Sequence, residues 1–274
     1  MTGTPIILLG AGGAVGRRLL RAWASISTPV VALGRTGPSD LRWDADKAPP
    51  NLTQARGSGV IVLSGVTPGG GDLDDNTRFA QAGIAAARYW GAAHIFVVSS
   101  SGVYGETGAT PADEDAPLAP ANPYAAAKLA MERATAAPDV TALRLANVAG
   151  TSQPFRAIRA GGPARLDAFA DDPDAPTRSF IGPVALARCL AALCDRVARG
   201  EALPSVLNVA ARDPLPMYAI FSSVRVAPER SPAPRSAIAH ANLATTRLAR
   251  YWNVPRQTAD DLWSEARATE EPAA

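Results

Sequence analysis

A tyrosine and a lysine four residues apart are the side chains of this sequence best suited to acid–base chemistry. Tyr124 and Lys128 lie in the segment Asn122-Pro123-Tyr124-Ala125-Ala126-Ala127-Lys128, where the asparagine suits a helix N-cap and the proline suits the first helical position. On a helix this spacing places both side chains on one face, with their Cβ atoms ~5–6 Å apart. A tyrosine of pKa ~10 is a poor base, and lowering its pKa by ~3 units requires ~4 kcal/mol. A lysine charge ~4 Å away, at an effective dielectric of ~20, supplies about that amount, so the pair is expected to pass a proton to or from a hydroxyl or carbonyl group.

A run of serines precedes that helix in the chain. The predicted strand Ile95–Ser99 leads into Ser99-Ser100-Ser101-Gly102-Val103-Tyr104-Gly105. Doubly wound sheets bind their ligands at the carboxyl ends of the strands. The hydroxyl groups of this segment are therefore candidates to contact a reacting oxygen.

A glycine-rich loop follows the first predicted strand, Ile6–Leu9, and opens a helix. The loop reads Gly10-Ala11-Gly12-Gly13-Ala14-Val15-Gly16. Glycines at this spacing provide a tight turn, close approach of the backbone to a pyrophosphate, and close helix packing. The helix amino terminus adds free N–H groups and a partial positive charge. We therefore predict a dinucleotide site at Gly10, Gly13, Ala14, Val15 and Gly16.

Continuous apolar runs alternate with helix-like stretches over the first half of the chain. This pattern predicts an α/β fold with a doubly wound parallel sheet, the Rossmann fold. The predicted strands are Ile6–Leu9, Val30–Leu33, Leu41–Trp43, Val60–Leu63, Ile95–Ser99 and Thr141–Leu145, and the predicted helices are Val15–Ser25, Asn76–Trp90 and Pro123–Ala136.

The regular alternation ends at Gly150. We expect a NAD(P)-binding Rossmann domain over residues 1–150 and a small substrate-binding lobe over residues 151–274. Within the lobe, a helix at Val184–Arg199 and a strand at Val206–Val209 are expected to return to the Rossmann domain, over about residues 181–210. A last helical region is predicted around Ala241–Trp252.

The glycine loop, the serine segment and the Asn-Pro-Tyr-x-x-x-Lys motif, in this order, resemble those of the extended short-chain dehydrogenase/reductase (NAD-dependent epimerase/dehydratase) family. The resemblance implies a catalytic triad of Ser100, Tyr124 and Lys128. In such a triad the serine hydrogen-bonds the reacting oxygen, and the lysine also contacts the nicotinamide ribose. The resemblance further implies a homodimer built from the helices Asn76–Trp90 and Pro123–Ala136.

Further positions resemble substrate-binding residues of the family. They are Ser101, Asn147 in the segment Leu143–Gly150, and Arg178 in the segment Pro176–Ile181, where an equivalent arginine contacts the diphosphate of nucleotide sugars. Two departures concern the substrate. The family usually carries a carboxylate just before the returning helix, whereas this sequence reads Gly182-Pro183-Val184-Ala185, and the lobe is short for a nucleotide-sugar binder.

The second strand bears on the choice of cofactor. It ends in Gly34-Arg35, where enzymes that use NAD commonly place an Asp or Glu for the ribose 2′-OH. Arg35 suits a 2′-phosphate instead, which favours NADP over NAD. Asp44 resembles the family's aspartate near the adenine. Ser64 and Gly65, just after the predicted strand Val60–Leu63, are also assigned to the cofactor site.

Charge and composition exclude several partner classes. The 274 residues have a net charge of +2, and 47% of them are hydrophobic, which gives no electrostatic reason to expect nucleic acid or a membrane surface. The two histidines, His94 and His240, have no ligand-type neighbours in the sequence, so no metal site is expected. We expect a cytoplasmic protein with a small-molecule substrate.

Three functions remain open on the sequence. The first is an oxidoreductase or epimerase of a sugar or nucleotide sugar, and the second is a reductase or dehydrogenase of another carbonyl or hydroxy compound. The third is a dinucleotide sensor without activity, which the intact triad disfavours. A 4,6-dehydratase is not expected, because family dehydratases carry an Asp–Glu pair directly after the catalytic Ser or Thr, whereas Ser101 and Gly102 stand here.

Overall fold

A seven-stranded parallel sheet forms the centre of the computed structural model, which describes residues 4–161, 164–170 and 172–271. The strands are β1 (Ile6–Leu9), β2 (Val30–Gly34), β3 (Leu41–Arg42), β4 (Gly59–Val62), β5 (His94–Ser100), β6 (Val140–Leu145), β7 (Asn147–Val148), β8 (Arg165–Ala168), β9 (Thr177–Arg178), β10 (Phe180–Ile181), β11 (Val206–Val209), β12 (Leu215–Pro216), β13 (Glu229–Pro232) and β14 (His240–Ala241). The helices are α1 (Ala14–Ser25), α2 (Asp75–Tyr89), α3 (Pro123–Thr135), α4 (Phe155–Arg159), α5 (Pro183–Ala198), α6 (Met217–Ser222) and α7 (Ala259–Ala268). The order in the large sheet is β11-β6-β5-β4-β1-β2-β3.

Both faces of the sheet are covered, which explains the continuous apolar runs of its strands. Successive residues of β1 enter different cores: Leu8 packs in the cluster with helices α1 and α5, and Leu9 packs in the cluster with α2 and α3. The indole N–H of Trp23 in α1 donates to the carbonyl of Ala187 in α5 at 2.9 Å, which links these two helices. The expected doubly wound α/β fold is confirmed, and the main predicted strands and helices agree with the structure within about one residue at each end.

The prediction of a last helix around Ala241–Trp252 is wrong. His240 and Ala241 instead form β14, which pairs with β9, and this stretch contains only a 3-10 turn at Leu248–Arg250. Alanine-rich composition favours a helix locally, but backbone pairing to β9 outweighs a weak propensity. The last helix is α7, which begins after Thr258 with a capping box formed by Thr258 and Asp261.

Besides α5 and β11, the chain after β6 forms small sheets and short helices. Strand β11 returns to the large sheet beside β6, and helix α7 packs Trp263 against Phe155 of α4 with their ring centroids 4.6 Å apart. The division of the chain at residue 150 stays a prediction. Among the described residues, no helix is long and apolar enough to cross a membrane.

A carboxylate from α7 takes the place of the one that the sequence lacks before the returning helix. Glu265 accepts from the backbone N–H groups of Val184 at 2.8 Å and of Ala185 at 3.0 Å, in the first turn of α5. A Cβ atom at Gly182 would collide with this carboxylate. The free N–H groups and the helix dipole are therefore satisfied from a distant part of the chain.

Candidate active site

Tyr124 lies in the first turn of α3, with its hydroxyl group near Ser100 at the end of β5. Asn122 caps the helix by accepting from the N–H of Ala125 at 2.9 Å, and Pro123 occupies the first position. Ser100 also accepts from the N–H of Gly102 at 3.1 Å, which orients its side chain. Burial raises the pKa of Tyr124, and the nearby hydroxyl of Ser100 acts in the opposite direction.

Lys128 lies one turn further along α3 and is 6% exposed. Its amino group donates to the backbone carbonyl of Val98 in β5 at 2.9 Å. Burial lowers the pKa of Lys128 to about 8, and the nearby charge of Glu132 opposes this effect. The expected lowering of the Tyr124 pKa by Lys128 is not met in this structure, because the pKa of the phenol is raised by its burial while the amine is directed at the strand.

The loop after β4 brings the proposed cofactor cleft to the lysine. A Cβ atom at Gly65 would lie 3.3 Å from the Lys128 amine and 2.7 Å from the side-chain oxygen of Asn76. Asn76 is fully buried and both donates to and accepts from the backbone of Val66 at 3.1 Å. Asn76 therefore fixes the loop that faces Lys128, a role that its place at the start of a predicted helix did not reveal.

A cleft of about 240 Å³ lies between the glycine loop and the ends of β2 and β4. Its lining includes Gly10, Gly12, Gly13, Gly34, Arg35, Thr36, Trp43, Ala45, Ser64, Gly65 and Phe79. Of the predicted cofactor residues, Ala14, Val15 and Gly16 lie outside this lining, at the start of α1. Lys128 on α3 also lies outside it, and Asp44 lies between two lining residues. Sequence analysis missed Trp43 and Phe79, whose apolar character gave no sign that they line a cleft.

The glycine loop fits a dinucleotide phosphate. Gly10 has φ 91°, and a Cβ atom there would lie 2.6 Å from the backbone nitrogen of Ser64. A Cβ atom at Gly16 would lie 2.6 Å from the carbonyl of Gly10. Side chains are thus excluded where the loop packs against the backbone after β4 and against itself, whereas a Cβ atom at Gly13, the N-cap of α1, would meet only the carbonyl of Gly10 at 3.4 Å. Helix α1 begins at this loop, as a phosphate site requires.

The predicted substrate residues fall in two places. Asn147 and Arg178 line a second cleft, of about 350 Å³, together with Gln153, Arg165, Asp167 and Phe221. Ser101 lies instead beside Ser100, in the 3-10 turn Ser101–Tyr104. The structure therefore brings Asn147 and Arg178 together, whereas Ser101 stays with the triad.

The guanidinium of Arg178 is already bound to the backbone. It donates to the carbonyls of Thr177 at 2.7 Å, Ile238 at 2.7 Å and Ala239 at 3.0 Å. Burial lowers the pKa of Arg178, and the charges of Glu106 and Asp167 oppose the shift. This arginine holds β14 and the residues before it against β9.

Comparison with known proteins identifies the family of this chain. The model of the NAD dependent epimerase/dehydratase family matches residues 6–160, whereas no curated protein sequence matches the chain. The solved structures that resemble it include MoeE5 in complex with UDP-glucose and NAD, at 22% identity over 97% of this chain and 98% of that one, with a TM-score of 0.72.

Two further structures share the fold at similar identity. TunA, an NAD dependent NDP-hexosamine 5,6-dehydratase, is 21% identical over 96% of this chain and 97% of its own, with a TM-score of 0.74. The UDP-glucose 4-epimerase of Thermus thermophilus, complexed with NAD, is 19% identical over 97% and 98%, with a TM-score of 0.70. Likeness at these identities shows the fold, and the family model covers more than half of the sequence. The chain belongs to the NAD-dependent epimerase/dehydratase family.

Proposed function

We propose that this protein is an NAD(P)-dependent oxidoreductase or epimerase that acts on a sugar or nucleotide sugar, with Tyr124 as the group that transfers the proton. The observation that carries this proposal is the contact between Tyr124 and Ser100, with buried Lys128 one turn away and facing the loop at Gly65. A bound nicotinamide would supply the hydride donor or acceptor. The substrate class is supported by MoeE5 and the Thermus epimerase, which act on or bind UDP-sugars.

Each triad residue has a distinct task in this proposal. Ser100, oriented by the N–H of Gly102, hydrogen-bonds the reacting oxygen and the phenol of Tyr124. Tyr124 gives or takes the proton of that oxygen. Lys128 presents a buried amine to the cofactor side of the site, where it donates to a hydroxyl group of the nicotinamide ribose.

NADP is the proposed cofactor, and NAD is the alternative. Arg35 lines the cleft at the end of β2, and the described residues of that lining include no carboxylate to receive a ribose 2′-OH. Arg42 donates to the carbonyl of Arg35 at 3.1 Å, which brings a second guanidinium close to the same place. NAD stays the alternative because the compared structures of MoeE5 and the Thermus epimerase contain it.

The proposed reaction does not include a 4,6-dehydration, in which the sugar loses water. Such an elimination needs a separate acid and base, and Glu106 and Asp113 are the nearest carboxylates in the sequence after Ser100. Both oxygens of Glu106 accept from backbone N–H groups, those of Ala239 at 2.6 Å and His240 at 2.9 Å. Asp113 is exposed and accepts from the N–H of Asp115.

A non-sugar carbonyl or hydroxy compound is the second candidate substrate. Three donors of Arg178 are engaged by backbone carbonyls, so this side chain offers less to a diphosphate than a free arginine would. A substrate without a diphosphate would not need free donors from Arg178.

A substrate panel separates these candidates. Purified protein is incubated with NAD⁺ or NADP⁺ and, in separate wells, UDP-glucose, UDP-galactose, dTDP-glucose, free aldoses, uronates and non-sugar secondary alcohols. Absorbance of the reduced nicotinamide reports oxidation, and NMR of the sugar reports epimerisation. We expect turnover of a sugar or nucleotide sugar without loss of water. Turnover of non-sugar alcohols alone would favour the second candidate, and a 4-keto-6-deoxy product would contradict the exclusion of dehydration.

A further inference from the structure

Helix α3 meets strand β5 through three successive turns. Tyr124, Lys128 and Glu132 follow each other at intervals of four residues and therefore share one helix face. Tyr124 meets Ser100, and Lys128 meets the carbonyl of Val98. Glu132, which has no part in the proposed triad, accepts a hydrogen bond from the hydroxyl of Ser99. Three neighbouring residues of the strand thus each face one turn of the helix, and two of them are hydrogen-bonded to it.

Glu132 also binds the next strand. Its carboxylate receives the guanidinium of Arg144 in β6, with the Nη2 to Oε2 distance at 2.9 Å. Ser99 and Arg144 are register partners across β5 and β6, and all three side chains are buried. One carboxylate therefore joins the helix that carries Tyr124 and Lys128 to both strands at the level just before Ser100.

The charged groups near Lys128 are few among the described residues. The negatively charged group is Glu132 on the same helix, and the positively charged group is Arg144 on β6, which is paired with Glu132. Strand β5 faces the amine with the Val98 carbonyl, and the loop held by the neutral amide of Asn76 lies on the cofactor side. Since burial disfavours the charged amine, the carboxylate of Glu132 is the group that favours it.

We propose that Glu132 is a positioning residue, which holds α3 in register with β5 and keeps the Lys128 amine in its ammonium form beside Val98. A buried ion pair adds little net stability compared with apolar residues of the same volume. The carboxylate of Glu132 instead joins the elements that carry the proposed triad, as a positioning residue must. The effect on catalysis rests on the proposed function, whereas the effect on Lys128 can be measured without a substrate.

The sequence makes that measurement direct, because the only lysines are Lys47 and Lys128. Protein grown with ¹³Cε-lysine gives one NMR resonance for each, and Lys47, which is exposed, serves as the internal reference. In Glu132→Gln the titration midpoint of Lys128 should fall by about one pH unit, a tenfold change in its acid dissociation constant. Glu201→Gln changes an exposed ion pair at the end of α5 and is the control. It should leave the titration midpoints of both lysines unchanged.

A second variant covers the case in which Glu132→Gln fails to fold with Arg144 left unpaired. The double variant Glu132→Gln, Arg144→Gln removes both buried charges, and its Lys128 midpoint should still fall below that of the wild type. An unchanged Lys128 midpoint in a folded variant would overturn the proposal, because a carboxylate that only fills the core would not move it.

Activity gives the second readout once a substrate is known. Glu132→Gln should lower kcat at neutral pH by ~100-fold, as expected for a misplaced catalytic group, with the alkaline limb of the pH profile moved to lower pH. Ser99→Ala keeps the charges of Glu132 and Arg144 and removes one hydrogen bond. Its kcat should therefore fall by ~10-fold or less, and the alkaline limb of its pH profile should not move. Loss of kcat without movement of the limb in Glu132→Gln would contradict the proposed effect on Lys128. Failure to find any substrate would count against the proposed function and leave the NMR result valid.

Discussion

Tyr124 and Lys128 show how burial changes the properties that the sequence alone suggests. Spacing on a helix places them on one face, but it does not tell which atoms the side chains reach. The structure directs the amine to Val98 and buries the phenol beside Ser100, so the pKa of Tyr124 rises while that of Lys128 falls to about 8. Lys128 thus loses its proton at a lower pH than an exposed lysine does, whereas the phenol of Tyr124 keeps its proton to a higher pH.

The depressed pKa of Lys128 has a consequence for stability. The unfolded chain, with a lysine pKa of ~10.4, binds more protons than the folded chain from about pH 8 upwards. The stability contribution of this group is therefore unfavourable below about pH 8 and improves as pH rises towards ~10.4. Lys128→Met should raise the free energy of unfolding of the cofactor-free protein at pH 7 by about 1–3 kcal/mol.

Urea unfolding at pH 7, 8, 9 and 10 measures this difference. The gap between Lys128→Met and the wild type should shrink with rising pH. Lys47→Met, at the exposed lysine, is the matched control and should show no gap. A constant gap at all four pH values would mean that the amine keeps its proton throughout.

Arg35 should decide the preference between the two nicotinamide cofactors. A contact with the 2′-phosphate worth ~1.5–3 kcal/mol corresponds to roughly ten- to hundredfold tighter binding of NADP than of NAD. Calorimetric titration of both oxidised cofactors tests this, and Arg35→Ala should abolish the difference. Arg256→Ala, another exposed arginine, should preserve it. Equal affinities in the wild type would leave Arg35 as a surface charge.

At the scale of elements, two helix ends show what a sequence pattern can and cannot reveal. The cap of α3 by Asn122 and Pro123 was readable, because both residues are adjacent to the helix. The cap of α5 was not readable, since its carboxylate comes from Glu265, about eighty residues later in the chain. The Thr258 and Asp261 pair of α7 was a local signal for a helix start that sequence analysis missed.

Removal of the distant cap should destabilise the protein measurably. Glu265→Ala leaves the N–H groups of Val184 and Ala185 without their acceptor and should cost about 1–2 kcal/mol of unfolding free energy. Ser264→Ala, an exposed neighbour on the same helix, is the control and should change stability by less than ~0.5 kcal/mol. A loss in Glu265→Ala no larger than that of the control would show that water replaces the cap.

For the whole molecule, the sheet and the positions of the motif residues at its strand ends were predictable from local patterns. Buried parallel strands leave continuous apolar runs, and a loop or helix that serves chemistry at a strand end keeps a compact motif, as around Gly10, Ser100 and Tyr124. The C-terminal region lacks both signals. Its short strands, such as β9 and β14, are held by tertiary contacts through Arg178 and Glu106 rather than by local pattern.

A homodimer stays a prediction for this chain. Helices α2 and α3 lie side by side on one face of the sheet, and their outer residues include exposed Ala85, Ala126 and Ala130, with Tyr89 69% exposed. Small side chains permit close helix approach. Light scattering at micromolar concentration should give twice the mass of the 28.3 kDa chain, and Ala126→Arg should convert it to a monomer. A monomeric wild type would contradict the prediction.

The central claim, that Tyr124 transfers the proton, is tested most directly by Tyr124→Phe on the substrate found in the panel. This change removes the phenolic hydroxyl and little else, so turnover should fall by at least ~10²-fold, while NAD(P) affinity, measured by calorimetry, stays within about threefold. Tyr89→Phe, which removes an exposed hydroxyl from α2, is the matched control and should keep wild-type activity. Wild-type turnover in Tyr124→Phe would contradict the catalytic assignment.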